Sequence, residues 1–243
     1  MFFIISDNFY VTHSIGLLKG EILAQNNEAN VIDYYHQIKL NNISEAAFIA
    51  RSIKTSNNQP YTLIIKVGKT KQLIVYKHNL NFYILPDNGL LTLIFENPDY
   101  NNVHYVDENN IQLALQCVNK NDLSELPKTK NFVFISRKKL TINPDFIRSQ
   151  VIHINHHGNC YFDLTKETID NFIGNQAFEV KVQHYTGLIC TKIANNISEI
   201  AEGMPGVLFS KAGYLKLIIN MGDARKLLRI KEDTNLIIEK YDK

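Results

Sequence analysis

Asp7 is the first residue whose type and place could do chemistry: it follows the apolar run "FFII" and stands just ahead of a helix start. A carboxylate at the carboxyl edge of an open α/β sheet lies where such sheets bind ligands, and it can accept both hydroxyls of a ribose. The same Asp could equally cap the helix that follows. A second group is "HINHHGNC", which bunches His153, His156, His157 and Cys160. On a strand, His153 and His157 share one face and His156 opposes them, and no H-E-x-x-H or paired C-x-x-C accompanies them, so no metal is expected. "KVGKT" at residues 66–70 has the ending of a phosphate loop, but no Gly stands five positions before Gly68, and a polar turn accounts for it better. No G-x-S-x-G serine elbow occurs.

These residues need elements to hold them. Phe2 to Ile5 predicts a buried central strand, and Ser14 is expected to cap a helix over "SIGLLKGEILAQ", with Ile15, Leu18, Ile22 and Leu23 as its apolar stripe. Gly16 and Gly20, one turn apart, predict a close approach of this helix to its sheet. "NVIDYY" reads as a strand, Ser44 as the cap of "EAAFIARSIK", and "YTLIIKV" as another buried strand. "QLIVYKH" and "NFYILP" predict a hairpin around His78 to Asn81. Pro86, Asp87, Asn88 and Gly89 then form a tight turn, since Pro lacks a backbone donor while Asn and Gly tolerate left-handed φ. The alternation predicts an α/β N-terminal domain over residues 1–127, with a mainly parallel sheet built from βαβ units. Residues 128–146 read as a linker or domain edge. From 147 to 243, "QVIHIN", "NCYFDL", "AFEVKVQ", "LICTKIA", "GVLFS", "GYLKLIIN" and "NLIIEKY" predict an all-β, barrel-like C-terminal domain.

Composition narrows the function. The 243 residues are 45% hydrophobic, enough for two cores, and 26 basic against 24 acidic side chains leave a net charge of +2. That balance supplies no basic face for nucleic acid or anionic lipid. The three cysteines, Cys117, Cys160 and Cys190, are far apart and odd in number, which fits buried thiols in a reducing, cytoplasmic compartment. "MFFIISD" lacks the cationic start and length of a signal core, and no stretch approaches the ~18 apolar residues of a membrane span.

In order, "SDNFYVTHSIGLLKGEI", "VIDYYHQIKLNNISEAAF", "LPDNGLLTLIF", "VIHINHHGN" and "AGYLKLIINMGDA" resemble the S-adenosylmethionine (SAM) hydroxide adenosyltransferases, relatives of the fluorinase and chlorinase. The resemblance covers nearly the whole chain. It implies an α/β domain followed by a β-barrel, a homotrimer with each site between one subunit's N-domain and its neighbour's C-domain, and an adenosyl ligand without a separate cofactor. By position, Asp7 matches the ribose-binding aspartate, Ser14 a serine near the methionine end, and Asn159 the asparagine that reads the adenine edge. Asn155 stands in place of an aspartate that holds the substrate's amino group. Ser210 and Lys211 stand where a serine meets the carboxylate, and Lys211 could pair with an anion.

The departures concern chemistry. Family hydrolases carry D-P-G-V-G-[ST]-x-R and H-G-R-D-x-F-A-P stretches, whose Asp, Arg and His surround the attacking water. Here "IIKVGKTKQL" and "HYVDENNIQLAL" stand instead, so the catalytic residues are left unassigned. Lys66, Lys69, Lys71 and His104 are the residues that could substitute. The resemblance implies hydrolysis of SAM to adenosine and L-methionine. The altered stretches leave open a protein that binds SAM or adenosine without turnover.

Overall fold

The computed structural model describes residues 1–7, 13–53, 59–95, 97–136 and 140–241. The chain separates into two compact units, Met1–Arg137 and Lys138–Lys243. Strands of the first unit are β1 (Phe2–Asp7), β2 (Val31–Ile38), β3 (Thr62–Lys66), β4 (Gln72–His78), β5 (Asn81–Pro86) and β6 (Val103–Asp107). Its helices are α1 (His13–Gln25), α2 (Ile43–Arg51), α3 (Leu90–Ile94) and α4 (Ile111–Asn119). The six strands run in the order β2-β1-β3-β5-β4-β6, with β2, β1, β3 and β5 parallel and β4 antiparallel to both β5 and β6. All of β1 is buried, as a strand covered on both faces requires.

Side chains alternate across β1. Phe2 and Ile4 join Ile15, Leu18 and Ile22 of α1 and Ile111, Ala114, Leu115 and Val118 of α4 in one core. Phe3 turns the other way and meets Tyr34 and Tyr61 edge-on. Removing such side chains from water stabilises the fold by about 1.5–3 kcal/mol each. Three local expectations need correction. Helix α1 begins at His13, so Ser14 lies inside its first turn. Gly16 and Gly20 face outward, and a Cβ on either would meet nothing within 4 Å. The cap of α2 is Asn42 rather than Ser44: the Asn42 side chain accepts from Glu45 N at 3.1 Å, and Glu45 Oε2 receives Asn42 Nδ2 at 3.4 Å. The first bond satisfies a helix-end donor, and the second, between the two side chains, holds the capping amide in place.

The Pro86–Gly89 turn does structural work at each residue. Asp87 accepts from the Tyr105 hydroxyl at 2.6 Å and from Val133 N at 2.8 Å. Gly89 takes φ +96° at the start of α3, where a Cβ would come within 2.4 Å of Ile135 Cδ1. Thr92 of α3 holds the same segment, donating to Ile135 O at 2.8 Å and accepting from Ile135 N at 3.0 Å. Leu123 and Leu126 are buried in the first core, and Tyr105 N donates to Pro127 O, so residues 123–135 belong to this unit.

In the second unit the strands are β7 (Thr141–Ile142), β8 (Phe146–Ile154), β9 (Cys160–Thr165), β10 (Ala177–Val182), β11 (Leu188–Cys190), β12 (Ile193–Ala194), β13 (Pro205–Phe209), β14 (Tyr214–Ile219) and β15 (Asn235–Tyr241). They form a nine-stranded sheet in the order β11-β10-β15-β8-β9-β14-β13-β12, with β7 on β8. Strand β11 lies against β13, which nearly closes the sheet into a barrel. The core is built by Ile147, Val151, Cys160, Phe162, Leu164, Val180, Leu217 and Ile238. "LICTKIA" is divided between β11 and β12, and two helices interrupt the strands: α5 (Lys166–Ile173), capped by Thr165, and α6 (Ala224–Leu227), capped by Asp223. Cys117 and Cys160 are buried, whereas Cys190 is half-buried.

His104, a suggested substitute for the missing chemistry, is a core residue. It is 5% exposed on the face of β6 that carries Val106, and its Nδ1 has no hydrogen-bond partner among the described residues. Strand β6 is four positions from β1 in the sheet, about 19 Å at ~4.8 Å per strand. Burial lowers its pKa, with the nearby Lys128 charge acting in the same direction.

Two measurements check this architecture. Gly89→Ala places a side chain at positive φ against Ile135 and is expected to lower unfolding free energy by about 1–3 kcal/mol in urea titration; an unchanged midpoint would show that the turn tolerates a Cβ. Because the folded state disfavours protonated His104, the unfolded state takes up more protons as pH falls through about 6.5. Stability from this group is therefore complete above that pH and is lost on acidification. His104→Leu should lose less stability than the native chain between about pH 7 and 5, and parallel pH profiles would refute the assignment.

Candidate functional site

Asp7 ends β1 with 1% exposure, flanked in the sheet by β2 and β3. A buried carboxylate is costly unless donors surround it. The loops that leave the two neighbouring strands supply them: Gly68 N reaches Asp7 Oδ2 at 2.9 Å and Asn41 N reaches the same oxygen at 3.1 Å. Both donor residues have left-handed backbones, φ +75° at Gly68 and +58° at Asn41, which turn their amides inward. Asn88, from the turn after β5, completes the cluster. Its Nδ2 donates to Val67 O at 2.9 Å and lies 3.2 Å from where a Cβ on Gly68 would be, with Asn41 Oδ1 3.4 Å from the same point. The carboxyl ends of four parallel strands thus converge on one carboxylate and a set of neutral amides. Lys66, at the end of β3, is 3.5 Å from Glu108.

Ser14 sits on the exposed surface of α1. Asn155 and Asn159 share the turn that joins β8 to β9. Asn155 Oδ1 accepts from His157 N at 3.1 Å and from Asn159 N at 3.0 Å, and Asn155 N returns to Asn159 O at 3.1 Å. An aspartate could make the same two acceptor bonds, so the turn itself does not require a charge at this position. Gly158, at φ +76°, backs onto Asp223: a Cβ there would lie 2.0 Å from Asp223 Oδ1. Arg225 N donates to Gly158 O at 3.0 Å. The "HHGN" and "MGDA" segments are therefore one interlocked structure. The backbone amide of Lys226 holds the Asp223 carboxyl below the ordinary carboxylate range.

Ser210 and Lys211 occupy the turn between β13 and β14. Ser210 Oγ accepts from Tyr214 N at 3.2 Å, and Lys211 is exposed at the tip. Tyr214 pairs with Thr165 and Leu217 with Cys160, so this turn and the Asn155–Asn159 turn lie at opposite ends of β14. About five residues of strand, ~17 Å, separate them. His153 packs its ring 5.5 Å from that of Tyr161, whereas His156 and His157 are exposed on the turn. Among the described residues, no group of three or more His, Cys, Asp or Glu side chains is arranged to hold a metal ion. Burial pushes the Cys160 thiol up to about 12, which makes it a packing group and not a nucleophile.

Sequence reasoning reached Asp7 and the two turns of the second unit but missed their partners. Asn41, Gly68 and Asn88 each carried one available signal, a residue type tolerant of left-handed backbone placed just beyond a strand.

Comparison with known proteins identifies this arrangement. A family model described as the SAM hydroxide adenosyltransferase N-terminal domain matches residues 2–132, and one described as the C-terminal domain of the same family matches residues 149–237. A relative named (R)-S-adenosyl-L-methionine hydrolase, from Methanocaldococcus jannaschii, is 24% identical over 230 residues, spanning 89% of this chain and 87% of its own. Two crystal structures share the fold at 19% identity. An uncharacterized conserved protein from Thermotoga maritima has a TM-score of 0.80 over 98% of this chain and 99% of its own. A conserved hypothetical protein from Thermus thermophilus has a TM-score of 0.73 over 99% of both. The chain belongs to the SAM hydroxide adenosyltransferase family.

Proposed function

We propose that this protein binds S-adenosylmethionine or adenosine through Asp7 and hydrolyses S-adenosylmethionine to adenosine and L-methionine. The observation that carries the reading is the Asp7 carboxylate at the carboxyl end of a central parallel strand, fixed by amides from the loops after both neighbouring strands. Those amides orient the group for a ribose diol at the edge where open α/β sheets bind nucleotides. Asn159 would meet the adenine edge, and Ser14, Asn155, Ser210 and Lys211 the methionine portion. The same reading makes the protein a cytoplasmic homotrimer. Among the described residues, no helix is long and apolar enough to cross a membrane.

In the reaction, the water oxygen forms a bond to the ribose C5′ while the C5′–S bond breaks. Its electron pair passes to sulfur, which leaves as the neutral thioether of methionine, and one water proton goes to solvent. Because the departing group needs no acid, catalysis reduces to placing and desolvating the water. A site without a general base at the attacking oxygen would turn over on the order of 10²- to 10⁴-fold more slowly than one that has it. A second reading, binding without turnover, is favoured by the burial of His104 in the core, four strand positions from Asp7, which removes one candidate base from that edge.

Chromatographic detection of adenosine from S-adenosylmethionine, with calorimetric titration of both compounds, separates the readings. Adenosine formation that Asp7→Ala abolishes supports the hydrolase, with affinity for adenosine falling about 10- to 100-fold as a charge-assisted hydrogen bond is lost. Binding without product supports the second reading. Failure of the native protein to bind either compound would refute both.

A further inference from the structure

The Pro86–Gly89 turn contains one buried group that no described residue of the fold engages. Asn88 Nδ2 donates to Val67 O at 2.9 Å, and this bond fixes which end of the amide is oxygen, since the reversed amide would set two carbonyl oxygens against each other. Asn88 Oδ1 is then buried with no hydrogen-bond partner among the described residues. Buried acceptors in folded proteins are nearly always satisfied, so an acceptor beside a candidate site with no donor among the described residues is suited to one brought by a ligand. Its position is informative. The Asn88 amide approaches Gly68 from the β5 side, while the Gly68 amide is bonded to Asp7 Oδ2 at 2.9 Å, so the amide and the carboxylate flank a single residue. Any side chain at position 68 would intrude on Asn88, with a Cβ only 3.2 Å from Nδ2.

We infer that Asn88 is a ligand-binding residue of the Asp7 site, its carboxamide oxygen accepting a hydrogen from a ribose hydroxyl of the bound nucleoside; this rests on the adenosyl-ligand reading of that site. Oδ1 can only accept, so the complementary group must be an O–H or N–H. A ribose diol supplies two adjacent O–H groups, and a carboxylate and a carboxamide that each meet Gly68 could share them. The pairing would also discriminate. A nucleoside lacking the hydroxyl leaves Oδ1 without that bond, whereas one that has it forms the bond without competition from donors among the described residues.

The test titrates adenosine, 2′-deoxyadenosine and 3′-deoxyadenosine calorimetrically into the native protein, Asn88→Ala and Asp7→Ala. Asn88→Ala should weaken adenosine about 3- to 10-fold, with one of the deoxynucleosides binding the native and variant proteins equally. If Asn88→Ala does not fold, Asn88→Ser is titrated in the same way. Unchanged adenosine affinity, or an equal loss for all three nucleosides, would overturn the assignment and leave Oδ1 to a bound water. If Asp7→Ala loses adenosine while Asn88→Ala keeps it, the adenosyl reading stands and the Asn88 assignment falls. A native protein that binds no nucleoside removes both.

Discussion

One carboxylate oxygen organises the edge of the first unit. Asp7 Oδ2 receives the amides of Gly68 and Asn41, and each bond requires a chain direction that ordinary strand exits do not provide. Both donors therefore sit in left-handed conformations. The cost of burying a charge without donors is larger than the cost of two such conformations, so the burial of Asp7 dictates how β2 and β3 end. The consequences spread outward. Asn41 directly precedes Asn42, the cap of α2, so the residue that serves Asp7 also sets where that helix starts. Gly68 leaves room for Asn88, which links the turn after β5 to the end of β3.

Against that constraint, the legibility of the sequence divides in a physical way. Long apolar runs such as Phe2–Ile5 and Leu63–Ile65 are buried on both faces, and such runs announce central strands wherever they occur. Asp7 was readable as a strand-end carboxylate for the same reason. What could not be read was who meets it, because the donors are backbone amides 34 and 61 positions away, and a residue type tolerant of left-handed backbone does not say which carboxylate its amide will face. Ser14 and Ser44 were poor guides to helix starts, since capping depends on the φ of the residue outside the helix as well as on the hydroxyl. Gly16 and Gly20 misled in another way: spacing alone does not say whether a small-residue face turns toward a sheet or toward water. Helix α5 was overlooked among strand-like segments although Ile169, Phe172 and Ile173 stand at i, i+3 and i+4 and pack on the second core, because the helix is only eight residues long.

The second unit carries its candidate recognition residues on turns at the two ends of one strand. Asn155 illustrates why a change of charge need not disturb a fold. Its oxygen caps two amides of its own turn, a task that an asparagine and an aspartate perform alike, so the loss of charge is felt only by whatever the turn faces. At the Asp7 edge the described partners are likewise neutral amides. The two-domain family architecture is present, and within it His104 is buried in the first unit while Lys66 lies 3.5 Å from Glu108.

Gly158 and Asp223 are 65 positions apart in the chain, yet the hydrogen on one α-carbon faces the carboxylate of the other with no space between for a methyl group. Heredity at these two sites is therefore ordered. A lineage can acquire a side chain at 158 only after 223 has become smaller, and while the aspartate persists as the cap of α6 the glycine has no viable replacement.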